Sequence, residues 1–404
     1  MMESARRDEQ QFDALSRAAR RHMPALDGWR GLAVLVVVLH NSSFLWNYQH
    51  TVPDLLVSNL FATGWVGVTL FFVLSGFLIT GILLDTRSSP RYFRDFYLRR
   101  TFRIFPLYYV ALFIAFVIVA PTLGNAAWVA SVHRNQAWYW GYIPNWLPPG
   151  RGIVGLDHFW SLGVEEQFYL VWPLLLLVTG DRWFARTAVA IFVGAFVFRW
   201  WFLSGGGSPG WLYGSTLARC DALALGALLA YAARSRDWFR PLWRWRYHIF
   251  GFAGIVVVAI VLGTHGFEGY DPVVEIVGQP AIALVFAFPL FATVCPSNRV
   301  ESRLTGWMSA KWLRLLGKYS YAIYVIHVPL HTILRTVAAP VVNGAGPWGS
   351  MALMFVYCAM ILGLSTLLAI VSWNLIEKRF LLLKDRLAPR RNAPVIATPP
   401  LGTT

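Results

Sequence analysis

Ten apolar stretches, most of them near the roughly 20 residues a helix needs to cross a bilayer, leave this chain little choice of fold. They lie at about 31–46, 64–84, 104–123, 159–178, 187–203, 217–233, 249–263, 276–294, 319–337 and 348–376. In hydrocarbon each backbone N–H and C=O must be satisfied within its own segment, so the stretches read as helices. The expected fold is all-α, a polytopic transmembrane bundle of about ten helices. Composition agrees: 57% of the residues are hydrophobic and 14% charged, against about 25% charged in soluble domains.

The connecting segments orient the bundle. Lys and Arg number six in 1–30, six in 86–105, two in 180–186, five in 233–247, five in 297–318 and six in 377–404. The alternate loops hold only Arg134 and Arg151. The positive-inside rule assigns the basic side to the cytoplasm, with both termini there and the chain in the plasma (inner) membrane. The same rule accounts for the formal charge of +15, so no nucleic-acid partner is needed.

The first 22 residues are polar, and the first apolar run follows Arg30, as in a retained signal anchor rather than a cleaved signal. Residues 1–25 read as a cytoplasmic tail, 26–381 as one membrane domain and 382–404 as a disordered cytoplasmic tail. Cys220, Cys295 and Cys358 show no metal or CxxC spacing and read as small buried hydrophobes. The one long loop of the opposite side, about 124–157, is rich in aromatics, among them Trp128, Trp138, Tyr139, Trp140, Tyr142 and Trp146. Both sugar stacking and interfacial anchoring fit it.

Ionisable groups at membrane depth are costly and mark function by default. At about 1.5 Å per residue, His40 lies about 15 Å above Arg30 and His327 about 13 Å above Lys318. Glu165 and Glu166 lie about 10–12 Å below the outer face, with Ser75 at a similar depth. His158, Ser161, Glu165 and Trp172 share one helical face at spacings of three, four and seven. One of the two carboxylates could pair with Arg219 or Arg199. Arg91, Arg94, Arg99, Arg100 and Arg103 suit either an anionic lipid surface or a phosphorylated ligand.

Several motifs follow one another along the chain. The first segment reads Leu26-Asp27-Gly28-Trp29-Arg30-Gly31 and then His40; the second contains Phe72-Val73-Leu74-Ser75-Gly76-Phe77. Arg100-Thr101-Phe102-Arg103 comes next, then His158-Phe159-Trp160-Ser161-Leu162-Gly163-Val164-Glu165-Glu166-Gln167-Phe168-Tyr169. Shorter echoes are Arg219-Cys220-Asp221, Ser320-Tyr321 through His327, and Glu377-Lys378-Arg379. In this order, over about 26–380, the chain resembles acyltransferase family 3, the integral-membrane O-acyltransferases. It departs from that pattern at two places: Asn41 stands where the family's histidine is usual, and Thr69 where an aspartate is usual.

The resemblance implies transfer of an acyl group, usually acetyl from cytosolic acetyl-CoA, to a hydroxyl of a carbohydrate or glycoconjugate at the outer side, without a metal. On that reading Arg30, Arg100 and Arg103 hold the donor's phosphates. His40 is the general base, or carries the acyl group in a relay, and Glu165 orients it or binds the acceptor. Ser75, His158, Glu166, Tyr169 and His327 are substrate contacts. The chain runs only a short way past the tenth segment, so it is expected to complete transfer itself or to pass its product to a separate partner. A transporter or flippase of a glycan or lipid-linked substrate is the competing class, because midplane polar residues suit that too. Oligomeric state and acceptor are left open.

Overall fold

A computed structural model describes residue 12 and residues 23–43, 52–294 and 296–387. Among these there is no strand, and the described residues of the ten apolar segments fall on helices. The helices used below are α1 (Pro24–Ser42), α2 (Val52–Ala62), α3 (Val66–Thr86), α4 (Tyr92–Phe113) and α5 (Ala126–Trp140). They continue with α6 (Trp160–Ser204), α7 (Thr216–Ala232), α8 (Arg236–Thr264), α9 (Gln279–Val294), α10 (Arg299–Met308), α11 (Lys311–Gly344), α12 (Gly346–Ser372) and α13 (Lys378–Leu387). Seven stretches among the described residues are long and apolar enough to cross a membrane. One of them, Asp157–Ser204, carries two expected segments, separated by Gly180, whose φ of 59° interrupts the helix. The segments on α1 and α7 are outside those seven.

Large apolar side chains on the bundle's outside are left uncovered: Leu170 is 66% exposed, Val178 77%, Leu262 71% and Val337 74%. Only hydrocarbon satisfies such a surface, and the chain is a multi-pass membrane protein. The interior holds what lipid cannot, including the fully buried Arg199 and Arg219.

Two helix crossings fix the frame, and both depend on glycine. Where α3 meets α7, a Cβ added at Gly76 would stand 1.9 Å from the Leu223 carbonyl oxygen, and one at Gly226 would stand 2.0 Å from that of Val73. Backbone therefore lies against backbone, the small-residue packing that membrane helices use in place of a hydrophobic drive. Gly31 and Gly317 bring α1 equally close to α11, and Gly28 brings it against the Met308 carbonyl at the end of α10. The Ser75-Gly76 pair is thus split by function: Gly76 admits α7 on one side while Ser75 points inward on another.

The aromatic loop is folded rather than open. It contains α5, and Tyr142 stacks on Tyr108 with ring centroids 3.8 Å apart, while the Tyr108 hydroxyl donates to the Tyr139 carbonyl at 2.7 Å. Tyr139 and Tyr142 are buried and unavailable for sugar stacking; Trp138 stays exposed. The loop is tied to α6 through Gln167, which donates to Asn145 at 2.8 Å and accepts from Trp146 at 3.2 Å and Thr216 at 2.5 Å. α13 carries helix a few residues into the expected C-terminal tail; the rest of that tail, most of the N-terminal one and Cys295 lie outside the described residues. Cys358 is buried as expected, and Cys220 is half-buried.

Candidate active site

The face predicted on α6 is the inner face. Its Trp172 donates to Thr80 of α3 at 2.8 Å, and its Ser161 hydroxyl lies 2.5 Å from that of Tyr324 on α11. Between them, Glu165 accepts a hydrogen bond from Ser75 at 2.5 Å. The Tyr169 hydroxyl is 3.0 Å from the Ser75 oxygen. Since Ser75 has one proton and gives it to the carboxylate, Tyr169 donates to Ser75. The result is a directed chain, Tyr169 to Ser75 to Glu165, held by two helices.

That chain lines a cavity of about 320 Å³. At one end stand Arg30 of α1 and Arg100 and Arg103 of α4, with Asp27 beside them. Arg100 lies over the Tyr169 ring at 5.4 Å, and Arg30 is within electrostatic reach of Glu165, Tyr169, Asp27 and Arg103. The wall on α3 runs from Val68 to Ile82, which at 1.5 Å per residue is about 21 Å. That is much of the roughly 30 Å hydrocarbon thickness. The other end is apolar except for Ser161 and Tyr324, which satisfy each other.

Beyond Tyr324 lies a pair of buried histidines. The His158 and His327 rings are 5.1 Å apart. Nδ1 of His327 faces two carbonyls, Tyr324 at 2.7 Å and Ile323 at 3.2 Å, and must carry the proton. Nε2 therefore presents a lone pair, to which Asn41 of α1 donates at 3.2 Å. Neither ring nitrogen of His158 makes a hydrogen bond of good geometry.

Of the residues expected to act, Arg30, Ser75, Arg100, Arg103, Glu165 and Tyr169 line one cavity, and His158 and His327 adjoin it behind Tyr324. His40 does not line it. Its Nδ1 pairs with the Phe61 carbonyl of α2 at 2.8 Å, and its Cβ packs where Gly64 leaves room. Asn41, one residue and about a hundred degrees further round the helix, takes the inward direction. Glu166 is absent from the cavity lining as well and lies within electrostatic reach of Tyr108, Tyr142, Tyr321 and Arg100. The expected pairing of a glutamate with Arg199 or Arg219 is corrected. Arg199 takes Asp221 at 2.8 Å, and Arg219 donates to Thr69 at 2.9 Å. Tyr324 and Asn41 join the expected set; the signal for Tyr324 in the sequence is its spacing of three from His327 on one helix face. No group of three potential metal ligands occurs among the described residues.

This architecture has relatives. The chain is 26% identical to the peptidoglycan O-acetyltransferase OatA of Listeria monocytogenes serovar 1/2a, over 80% of this chain and 51% of that one. It is 27% identical to O-acetyltransferase OatA of Staphylococcus aureus, over 88% of this chain and 57% of that one. The chain spans about half the length of the curated relatives it matches. No solved structure matches it. The profile described as "Acyltransferase domain" matches residues 23–370, and the chain belongs to that acyltransferase family.

Proposed function

We propose that this protein transfers an acyl group, acetyl in the simplest case, from cytosolic acyl-CoA to a carbohydrate hydroxyl on the opposite side of the plasma membrane. The observation that carries the reading is a cavity with three arginines at one end and the Ser75–Glu165 pair about halfway along its wall. Guanidinium groups match phosphate geometry, so Arg30, Arg100 and Arg103 hold the nucleotide phosphates at the basic face. The donor's long flexible arm then carries the thioester up the cavity to Ser75. Relatives named for peptidoglycan make a cell-wall glycan the favoured acceptor class.

A sugar hydroxyl attacks only as its proton leaves, and of the two carboxylates lining the cavity Glu165, away from the arginine end and bonded to Ser75, is the base placed for it. The acceptor oxygen bonds to the acyl carbon as its proton passes to Glu165, directly or through Ser75. Tyr169 donates to the oxyanion, the C–S bond breaks, and the proton is returned to the departing thiolate. The His158, His327 and Asn41 group lies between this point and the outer side, where the acceptor approaches. His40, turned to Phe61, is assigned no chemical step.

The test is label transfer from acetyl-CoA in inside-out vesicles bearing the full chain. Glu165→Gln should lower transfer by about 10²–10⁴-fold, and His40→Ala should retain most of it. Loss in His40→Ala with retention in Glu165→Gln would return the role of base to the histidine. Acceptor movement without label would identify a flippase.

A further inference from the structure

Behind the cavity wall lies a second set of charges that the proposed chemistry does not use. Arg199, Arg219, Asp221 and Glu275 are each at most 2% exposed, and Gln279 is 2% exposed. Buried charges persist when they balance. Asp221 is committed: it pairs with Arg199 at 2.8 Å and accepts from its neighbour's backbone N–H, that of Ala222, at 2.7 Å. Arg219 finds only a neutral oxygen in direct reach, that of Thr69. Its Nε and Nη1 are buried without a hydrogen bond of good geometry, and so are both carboxylate oxygens of Glu275, which sits on the π-helical turn Val274–Gly278 beside Gln279 and within electrostatic reach of Arg219. Such turns interrupt helices at functional positions.

Arg219 touches the catalytic frame directly. Its guanidinium lies 5.6 Å from the Phe72 ring of α3 and 5.8 Å from the Trp160 ring of α6. Those two rings meet edge to face at 6.1 Å. Helices α3 and α6 are therefore bridged at three successive levels: Phe72 with Trp160, Ser75 with Glu165, and Thr80 with Trp172. Arg219 braces the first, one helical turn from the second, or about 4.5 Å along α3.

We propose that Glu275 is the buried counter-ion of Arg219, and that the pair sets the register of α3 against α6 which lets Ser75 meet Glu165. Glu275 is then a positioning residue for acyl transfer, about two helices removed from the reacting atoms. Removing its charge leaves Arg219 uncompensated, and the guanidinium moves or draws in water, releasing Phe72 and Trp160. Because Thr69 already bonds Arg219, a carboxylate of nearly the same size at position 69 would restore the balance from the other side.

The inference rests on the proposed activity for its kinetic readout, and the experiment separates the two. Wild type, Glu275→Gln, Thr69→Asp and the double variant are compared as full chains in vesicles. Glu275→Gln should lose about a hundredfold in kcat, the effect of an ångström's misplacement, with KM for acetyl-CoA unchanged because the three arginines are untouched. The double variant should recover most of the loss. Wild-type activity in Glu275→Gln, or a double variant no better than it, overturns the proposal. Should even wild type transfer no label, the functional reading fails. Thermal midpoints of the same four proteins then decide this inference alone: a midpoint lowered in Glu275→Gln and regained in the double variant upholds it, and no regain overturns it.

Discussion

Replacing Gly76 by alanine tests whether the close approach of α3 and α7 sets the geometry of the site. The added methyl would meet the Leu223 carbonyl oxygen at 1.9 Å, its carbon at 2.8 Å and the Ala227 nitrogen at 3.1 Å. These are backbone atoms within a helix and cannot swing aside as the end of a side chain would. Restoring ordinary contact at 3.4 Å moves α3 off α7 by about 1.5 Å, and such overpacking costs about 1–3 kcal/mol. Ser75 is the adjacent residue, so the shift is delivered to its 2.5 Å bond with Glu165. A stretch of that size ends the bond, and misplacement by an ångström lowers turnover by about a hundredfold. The assay is paired: thermal unfolding in detergent for stability, and label transfer from acetyl-CoA in vesicles for activity. Gly194→Ala is the control, because a Cβ there meets nothing within 4 Å. If Gly76→Ala matched Gly194→Ala in both readouts, the crossing would not be the constraint on Ser75, and the argument from backbone contact would be wrong.

Two further outcomes follow from other parts of the structure. Arg100→Gln removes one guanidinium from the basic end of the cavity, and a charge-assisted bond to phosphate is worth about 1.5–3 kcal/mol. KM for acetyl-CoA should rise by about 10–100-fold with a smaller change in kcat; an unchanged KM would remove Arg100 from the donor site. Gln167→Ala cuts the tie between α6 and the loop carrying Asn145 and Trp146, leaving part-buried donors and acceptors unpaired. Stability should fall by about 1–3 kcal/mol, read as a lower thermal midpoint and faster proteolysis within 141–157, and an unchanged midpoint would show that the loop holds without this network.

The division between sequence and structure follows from what one helix can encode. Apolar length and the alternation of basic loops are properties of single segments, so the ten stretches could be read without knowing any neighbour, and their described residues lie on helices. Depth is also a single-helix quantity: counting residues from the segment ends put Ser75 and Glu165 at one level, and they are hydrogen-bonded. The arginines were legible for the same reason, since Arg30, Arg100 and Arg103 each lie near the end of an apolar run.

Direction around the helix axis is different, because it depends on which helix stands alongside. One residue turns the side chain by about a hundred degrees, enough to send His40 to the Phe61 carbonyl and Asn41 to His327. Helical spacing separated Glu165 from Glu166, but not their partners: α3 supplies Ser75 to one, while Tyr108, Tyr142 and Tyr321, from three different parts of the chain, surround the other. Partner choice among buried charges was hidden too: Asp221 and Glu275 come from separate helical elements, and only packing brings both to the arginines. The amino-acid order determined that this chain would live in a bilayer with polar groups at depth. The crossings at glycine decided which of those groups face one another, because contact at that range is set by neighbouring backbones and not by the segment that bears the side chain.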